Sequence, residues 1–222
     1  TFFPYKPLFA EELVCGFARL GGESVGIIAN QPKVRGGVLF SDSSDKAARF
    51  IWICNAFNVP LLFLVDIAGY MIGSAVERTG IIRHGAKMLF AVAESRTPRI
   101  AVLVRKAYGG GYLAMSGSPV KPDAVLALPT AKPALMGPEA AINAIHYNRL
   151  KAIVDDDERE ATLAKLRAEY EADINALKIA NENAVEAVVP GSELRDELIA
   201  RYGVYRRRPA IWPERHTAVY PV

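Results

Sequence analysis

Short apolar runs alternate, along the first two thirds of the chain, with segments whose apolar residues recur at helical spacing. Five of these runs have the length of a strand and cover residues 24–29, 37–40, 61–66, 100–104 and 124–128. The run at 61–66 is continuous rather than alternating, which is typical of a strand covered on both faces. Strands that alternate with helices through short connections predict an α/β fold in which helices cover a sheet.

Two helices are predicted between these runs. The first follows the capping residues 42–45 and ends before Asn58 and Pro60. Its inward residues at helical spacing are Ala47, Phe50, Ile51, Cys54 and Phe57. The second covers about 80–95 and is closed by Pro98. Its inward residues are predicted to be Ile82, Ala86, Leu89, Val92 and Ala93.

The pattern changes from about Pro138 onward. A helix is predicted to begin there, a long charged amphipathic segment covers 155–180, and a further helix covers 192–202. Residues 208–222 form a Pro- and aromatic-rich tail that we expect to dock onto this chain or a neighbour. The sequence therefore divides into a core at 1–150 and a helical extension with its tail at 151–222, both parts of one domain.

Composition and charge exclude several classes of protein. The chain is 51% hydrophobic and 23% charged, which is ordinary for a globular domain. No apolar run approaches the roughly 18 residues that a membrane span needs, so we expect no span. The net charge of +3 is too small to indicate a nucleic-acid partner.

Cysteine and histidine usage points away from disulfides and metals. Cys15 and Cys54 have no CxxC partners and make no disulfide framework, which fits a reducing compartment. His84, His146 and His216 are far apart, without the nearby cysteines or carboxylates of a zinc motif. We therefore expect no metal site.

The strongest candidate for chemistry is the segment 99–117, where an apolar strand runs into three glycines and then into a helix-like stretch. The glycines are Gly109, Gly110 and Gly111. Amides in the first turn of a helix have no intrahelical partner, and glycine lets a ligand approach the backbone closely. Such a junction is suited to an anionic oxygen, either a phosphate or an oxyanion that develops during a reaction.

Motif searches favour the oxyanion. The chain has neither a GxxxxGK[ST] loop nor a GxSxG elbow. Gly109, Gly111 and Ala114 do fit GxGxx(G/A). However, a dinucleotide site needs an acidic residue at the end of the next strand, and Asp123 precedes that strand instead.

A second junction of similar design lies at residues 66–73, where a buried strand enters a loop containing Gly69, Tyr70 and Gly73. If the two strands are neighbours, their loops place amide donors around one pocket. Neither loop holds an obvious general base. A simpler interpretation, in which the glycines only permit tight packing, stays open for both junctions.

Several segments resemble one enzyme family. Residues 105–115 (RKAYGGGYLAM) and 80–87 (GIIRHGAK) resemble the two signatures of the carboxyltransferase β subunit of biotin-dependent acyl-CoA carboxylases. These include the propionyl-CoA, acetyl-CoA and methylcrotonyl-CoA carboxylases. Further matches at 25–32, 41–50 and 136–141 extend the resemblance over about 8–205 in the right order. The likeness is to the C-terminal one of that subunit's two crotonase-like domains.

The resemblance implies a crotonase-like ββα spiral with a helical C-terminal extension, and a role as the biotin-side half of an acyl-CoA carboxyltransferase. This half would help to transfer a carboxyl group from carboxybiotin to the α-carbon of an acyl-CoA. The catalytic groups implied are the amides of Gly110 and Gly111, facing the ureido oxygen of biotin. The other implied residues on the biotin side are Gly69, Tyr70, Gly109 and Tyr112. The family's base is biotin itself, which agrees with the absence of an obvious base in the loops.

Three departures from the family pattern keep alternatives open. Gly111 stands where the family usually has Ala, and Ala68 stands where it has a stiffening Pro. They leave open a catalytically inactive subunit that serves assembly, beside a biotin-dependent acyl-CoA decarboxylase with the same fold. Leu113 occupies the position linked to acyl selectivity, where short-chain enzymes often carry Asp, and indicates a larger or branched acyl group.

The resemblance also implies partners. These are a CoA-side N-domain, a biotin carboxylase and biotin carboxyl carrier subunit, and further copies in an oligomer, hexameric in the family. The expected location is the bacterial cytoplasm or the mitochondrial matrix.

Overall fold

The computed structural model describes residues 1–207, in which eight strands form one mixed sheet. The strands are β1 (Phe2–Tyr5), β2 (Leu13–Leu20), β3 (Glu23–Asn30), β4 (Leu61–Ile67), β5 (Arg99–Tyr108), β6 (Ala124–Ala127), β7 (Lys132–Ala134) and β8 (Ala187–Val188). The helices are α1 (Ser41–Ala56), α2 (Ser74–Arg78), α3 (Ile81–Glu94), α4 (Gly109–Ala114), α5 (Pro138–Ala152), α6 (Asp156–Asp173), α7 (Ala176–Asn181) and α8 (Leu194–Tyr205). The predicted α/β architecture is confirmed. The tail at 208–222 lies outside the described residues.

The strands follow the order β1-β2-β3-β4-β5-β6-β8, and β7 pairs with the end of β5. The pairs β1–β2 and β2–β3 are antiparallel, whereas β3, β4, β5, β6 and β8 run parallel. Parallel strands end at the same edge of a sheet. The loops after β4 and β5 therefore lie side by side, as the second glycine junction required.

Helices cover both faces of the central strands. On one face, Phe63 of β4 packs in a cluster with Phe50 of α1 and Met88 of α3. On the other face, Leu62 of β4 packs in a cluster with Leu198 and Tyr202 of α8. This two-sided burial is the reason why residues 61–66 read as a continuous apolar run.

The C-terminal extension returns to the core. Strand β8 pairs with β6, and the Tyr202 hydroxyl of α8 donates a buried hydrogen bond of 2.7 Å to the carbonyl of Leu61. Helices α5 and α6 pack on each other around Ile142, Leu150 and Leu166. The division at residue 150 falls within the last turn of α5 and stays a prediction.

The residues at 37–40 do not form the predicted strand. They follow a 3₁₀ turn at Arg35–Gly37, and only Leu39 pairs with another strand-like residue, Tyr70, through an isolated bridge. The physical reason is the backbone of Gly36 and Gly37, whose φ angles of 66° and 68° turn the chain out of an extended conformation.

Helix α1 is confirmed with two exceptions. It begins at Ser41, so the predicted capping residues 42–45 lie inside its first turns, where Ser43 Oγ accepts a 2.7 Å hydrogen bond from the amide of the N-cap residue Phe40. Phe57 was predicted to face inward but is 76% exposed. The helix ends at Ala56, and the left-handed Asn58 (φ 56°) turns the chain away immediately afterwards.

Helix α3 buries only part of the predicted face, since Val92 is buried and Leu89 packs partly buried against the core, as predicted. The buried residues are Ile81, Gly85, Met88, Ala91 and Val92. Ile82 is instead 76% exposed, and Ala86 and Ala93 are also exposed. Apolar residues occupy more than one stripe of this helix, so periodicity alone could not select the stripe. Gly85 determines which side of α3 is buried, because the ring of Tyr70 packs against it in space that a larger side chain would fill.

The segment at 155–180 is not one continuous helix. It divides into α6 and α7 around residues 174–175, where the Asn175 side chain accepts a 2.9 Å hydrogen bond from the amide of Lys178 and caps α7. Of the helices in residues 1–207, none is long and apolar enough to cross a membrane.

Both cysteines should be chemically inert in the folded protein. Cys15 is 1% and Cys54 0% exposed, and burial raises the pKa of each thiol from 9.0 to about 12. Because the thiolate is the nucleophile, we expect no alkylation by iodoacetamide at pH 8 in the native state, and labelling of both residues in urea. Stability should also fall as the pH rises above about 9, because only the unfolded thiols ionise there. Native labelling at the unfolded rate would contradict this burial.

Candidate active site

The candidate site lies at the carboxyl edge of the sheet, where β4 and β5 each end in a glycine turn. Strand β4 leads through Ala68 to Gly69, and β5 leads directly into Gly109, the first residue of α4. The two strands are hydrogen-bonded neighbours. The structure therefore brings together the two junctions that the sequence singled out.

Gly111 and Gly69 make a close backbone contact in the site. A Cβ atom added to Gly111 would lie 2.8 Å from Gly69 Cα and 2.8 Å from Ile67 Cδ1. Real side chains do not approach that closely, so the approach of α4 to the β4 loop depends on glycine at 111. At this position the tight-packing interpretation is correct, whatever the amide of Gly111 also does.

Gly110 has a different environment. It is exposed, and a Cβ atom there would meet nothing closer than Tyr70 Cδ2, at 4.0 Å. Packing does not explain a glycine at this position. Another molecule can therefore approach the α4 backbone at Gly110 without moving a side chain.

Gly109 makes the turn itself. Its φ angle is 49°, and a Cβ atom would lie 2.8 Å from the carbonyl oxygen of Leu135. Gly69 also has a positive φ, 147°, and nothing lies within 4 Å of where its Cβ atom would stand. The left-handed backbone at Gly109 turns the chain from β5 into α4 within one residue.

The first turn of α4 presents amides that the helix does not satisfy. The residue before the helix, Tyr108, contributes no side-chain cap. The amides of Gly110 and Gly111 have no carbonyl four residues earlier within the helix to bond to. Since α4 has only six residues, these individual N–H groups matter more than a helix dipole.

Tyr70 lies beneath the glycines with its ring packed into the protein. The ring contacts Gly85 of α3, and the hydroxyl lies 3.9 Å from Met88 Sδ. Burial raises the pKa of Tyr70 to about 12, so the phenol stays protonated at neutral pH. Tyr70 therefore supplies an apolar floor below Gly110 rather than a titrating group.

Tyr112 is also turned inward. Its hydroxyl lies 2.8 Å from Ser118 Oγ and accepts a 3.0 Å hydrogen bond from the Ser118 amide. The Tyr112 hydroxyl is thus hydrogen-bonded to the segment after α4, and the role of Tyr112 on the biotin side stays a prediction. Leu113 is half-buried and lies three residues after Gly110, which places the two on one side of α4.

The segment 80–87 anchors α3 beside the site. Asp45 Oδ1 of α1 accepts from both His84 Nδ1, at 2.8 Å, and Lys87 Nζ, at 2.7 Å. Gly80, with φ 76°, begins the helix. These contacts fix the helix on which Tyr70 rests.

Sequence reasoning missed the polar side chains that join the strands just below the glycines. Asp66 of β4 accepts from Arg105 Nε and Nη2 of β5, with the shortest distance 3.0 Å, and from the Lys106 amide at 3.2 Å. This contact with Asp66 raises the pKa of Arg105. Asn30 of β3 accepts from the amide of Asp66 at 3.2 Å. The available signal was polar residues near the ends of three neighbouring apolar strands.

Across residues 1–207, no group of three or more His, Cys, Asp or Glu side chains is arranged to hold a metal ion. The donors at the glycine junction are backbone amides, which bind anionic oxygen rather than a cation.

Comparisons with known proteins identify the architecture. The family model described as "Carboxyl transferase domain" matches residues 1–219. An uncharacterized carboxylase of Bacillus subtilis is 53% identical over 100% of this chain and 43% of its own length. The methylmalonyl-CoA decarboxylase subunit alpha of Propionigenium modestum is 41% identical over 91% of this chain and 39% of its own length.

A crystal structure of transcarboxylase 12S, solved as a hexamer with methylmalonyl-coenzyme A bound, superposes with a TM-score of 0.90 at 40% identity. The superposition covers 100% of this chain and 42% of the transcarboxylase chain. The chain therefore spans about two fifths of the relatives that it matches. The expected family and the crotonase-like fold are both confirmed.

Substitution by alanine should distinguish the packing role of Gly111 from that of Gly110. Gly111→Ala places a methyl group 2.8 Å from Gly69 Cα, so we expect a loss of about 1–3 kcal/mol in the free energy of unfolding. Gly110→Ala meets open space, so its stability should be unchanged or up to about 1 kcal/mol higher, because alanine favours a helix. Urea unfolding measures both. Equal stability of the two variants would contradict the close contact.

Proposed function

The chain belongs to the carboxyl transferase domain family, and on that premise we propose that it is the biotin-side half of an acyl-CoA carboxyltransferase. The observation that carries the proposal is the uncapped first turn of α4, where a Cβ atom at Gly110 would stand in open space while Gly111 is held against Gly69. This is a preorganised donor pair with a clear approach.

The site fits a neutral ring that carries a carbonyl oxygen, such as the ureido ring of biotin. The amides of Gly110 and Gly111 would donate to that oxygen as negative charge develops on it. Tyr70, protonated and packed on Met88, would offer an apolar surface for the ring. No carboxylate stands among these donors, so charge on the oxygen meets no repulsion from them.

Bound carboxybiotin would supply the carboxyl group, and its ring would supply the base that removes the α-proton of the acyl-CoA. The chain's own contribution is then electrostatic and positional. The short turn at Gly109 fixes α4 on the end of β5, and the Gly111–Gly69 contact fixes it against β4. Donors held in this way need no reorganisation when charge appears.

We propose that the thioester is held by a second, CoA-side domain. The chain spans 42% of the transcarboxylase 12S chain, so the relative contains more than this unit. Apolar side chains also stand exposed on the loops around the site: Met71 is 42%, Ile72 81% and Leu135 80% exposed. A partner surface over these loops would complete the pocket and exclude water from it.

A biotinylated carrier and a biotin carboxylase would supply the carboxyl group, and several copies would assemble, as in the hexameric transcarboxylase. The bacterial relatives and the two buried free cysteines support a location in the reducing bacterial cytoplasm.

A second candidate is the reverse direction, removal of a carboxyl group from an acyl-CoA. The 41% identity to a methylmalonyl-CoA decarboxylase subunit supports this second candidate. Both directions would use the same donors. An assay that follows label from carboxybiotin to acyl-CoA and from carboxyacyl-CoA to biotin would distinguish them by their net flux with the native partners.

Blocking the open face of Gly110 should stop the chemistry. Gly110→Val fills the space through which the ligand oxygen would reach the amides, so we expect carboxyl transfer to fall about 100- to 1000-fold. The measurement is transfer of labelled carboxyl to propionyl-CoA, with the CoA-side domain and biotinylated carrier present.

The matched control is Gly203→Val, a helical glycine of α8 that also has nothing within 4 Å. Since α8 packs near the amino end of β4 through Tyr202, this substitution should leave transfer within about twofold. Full activity of Gly110→Val would refute the role of Gly110. Absence of turnover in the unsubstituted, fully assembled protein would instead favour an inactive assembly subunit.

Leu113 should influence which acyl group is accepted. Leu113→Asp replaces an apolar, half-buried side chain beside Gly110, so we expect kcat/KM for a branched or long acyl-CoA to fall about tenfold relative to propionyl-CoA. Competition between the two thioesters measures this ratio. An unchanged ratio with unchanged total activity would show that Leu113 does not contact the acyl group.

A further inference from the structure

The ladder between β4 and β5 is interrupted just below the glycine turns. Val65 pairs with Leu103, but the next paired residue of β4, Ile67, is opposite Ala107. One residue of β4, Asp66, therefore faces three residues of β5, the segment 104–106. Such irregularities shift one strand relative to its neighbour and leave backbone groups unpaired.

The shift determines where the two turns meet. Continuing the pairing of Ile67 with Ala107 places Gly109 level with Gly69. An uninterrupted ladder from Val65 and Leu103 would place Gly109 level with Met71, two residues or roughly 6.6 Å farther along the strand. The contact between Gly111 and Gly69 depends on this difference.

Asp66 occupies the gap that the interruption creates. Its carboxylate accepts from the Lys106 amide at 3.2 Å and from the Arg105 guanidinium at 3.0–3.2 Å. Lys106 has no partner in the β4–β5 ladder, although it pairs with Lys132 of β7 on the other side of β5. The Asp66 side chain is 14% exposed, whereas that of Arg105 is 52% exposed. An exposed cation adds little to such a pair, so the bond to the backbone amide is the stronger constraint.

The network continues from Asp66 to the other side of the site. Asn30 accepts from the Asp66 amide at 3.2 Å and donates to the Gly37 carbonyl at 3.1 Å. Two residues later, the Leu39 amide donates to the Gly69 carbonyl at 3.2 Å. The β5 segment and the β4 loop are thus tied to each other from below through Asp66, as they are from above through Gly111.

We propose that Asp66 is a positioning residue for the Gly110 and Gly111 amides, because it stabilises the interruption of β5 that sets these amides against the Gly69 loop. The proposal rests on the function proposed above for those amides. Asp66 does not touch the reacting groups. It acts through the Lys106 backbone, and the charge of Arg105 is secondary.

Three variants separate this role from that of a surface ion pair. Asp66→Ala removes both acceptor oxygens, Asp66→Asn keeps one oxygen for the Lys106 amide but removes the charge, and Arg105→Gln removes only the cation. We expect kcat for carboxyl transfer to fall about 10- to 100-fold in Asp66→Ala, because a misplacement of about 1 Å costs that much in rate. Asp66→Asn should restore most of this loss, and Arg105→Gln should cost less than about threefold.

The kinetic measurement uses the full assembly that contains the chain, with the biotinylated carrier and acyl-CoA. KM for acyl-CoA should stay within about twofold, since the thioester is proposed to be held elsewhere. A fall in kcat for Asp66→Ala that Asp66→Asn does not relieve, or an equal fall in Arg105→Gln, would show that the charge pair matters and would overturn the proposal.

Hydrogen exchange supplies a readout that is independent of activity. Amides in peptides that span 104–112 should exchange faster in Asp66→Ala than in the unsubstituted protein, and those of α8 should not change. If Asp66→Ala does not fold, the exchange rates and kcat of Asp66→Asn are compared with those of Arg105→Gln instead. Unchanged exchange at 104–112 would refute the positioning role. If exchange changes but the unsubstituted assembly transfers no carboxyl group, the result contradicts only the proposed function.

Discussion

The contact between Gly111 and Gly69 is the constraint on which the candidate site depends. It joins the first turn of α4 to the loop after β4 at a separation that excludes even a methyl group. Everything else at the site follows from that approach. Gly110 becomes the exposed face of the turn, Tyr70 lies below it, and the two glycine turns become one site rather than two separate loops.

Local sequence patterns predict much of the architecture. Apolar runs predict the positions of strands β3, β4, β5 and β6, because each run is buried on both faces of the sheet. Pro138 predicts the start of α5. That the two glycine turns lie at the same edge of the sheet was also predictable, since it requires only that β4 and β5 be parallel neighbours, whereas their contact also requires the register shift opposite Asp66. The family signatures also predicted the family correctly.

Three features depend on tertiary contacts that local patterns do not contain. The buried stripe of α3 follows the fit of Gly85 against the Tyr70 ring, so Ile82 is exposed despite its hydrophobicity. The run at 37–40 reads as a strand, but Gly36 and Gly37 turn the chain first. The interruption opposite Asp66 has no local signal, because it is a mismatch of register between two strands that are each regular in sequence.

The two departures from the family pattern acquire physical meaning from the same contact. An alanine at 111 would require the β4 loop to move away from α4, so the approach seen here needs the smaller residue. Ala68 removes the stiffness that a proline would give, yet the loop is held by the Leu39 amide on the Gly69 carbonyl and by the Met71 amide on the Leu39 carbonyl, at 3.2 and 2.9 Å.

The inactive-subunit hypothesis rested on the idea that these two changes loosen the site. A loop fixed on one side by the Leu39 segment and on the other by Gly111 is constrained without proline, so that argument loses its force. Under the proposed function, the position at this junction where a substitution would remove activity is then Gly110, whose open face the proposed donors use and which no packing contact requires to be glycine.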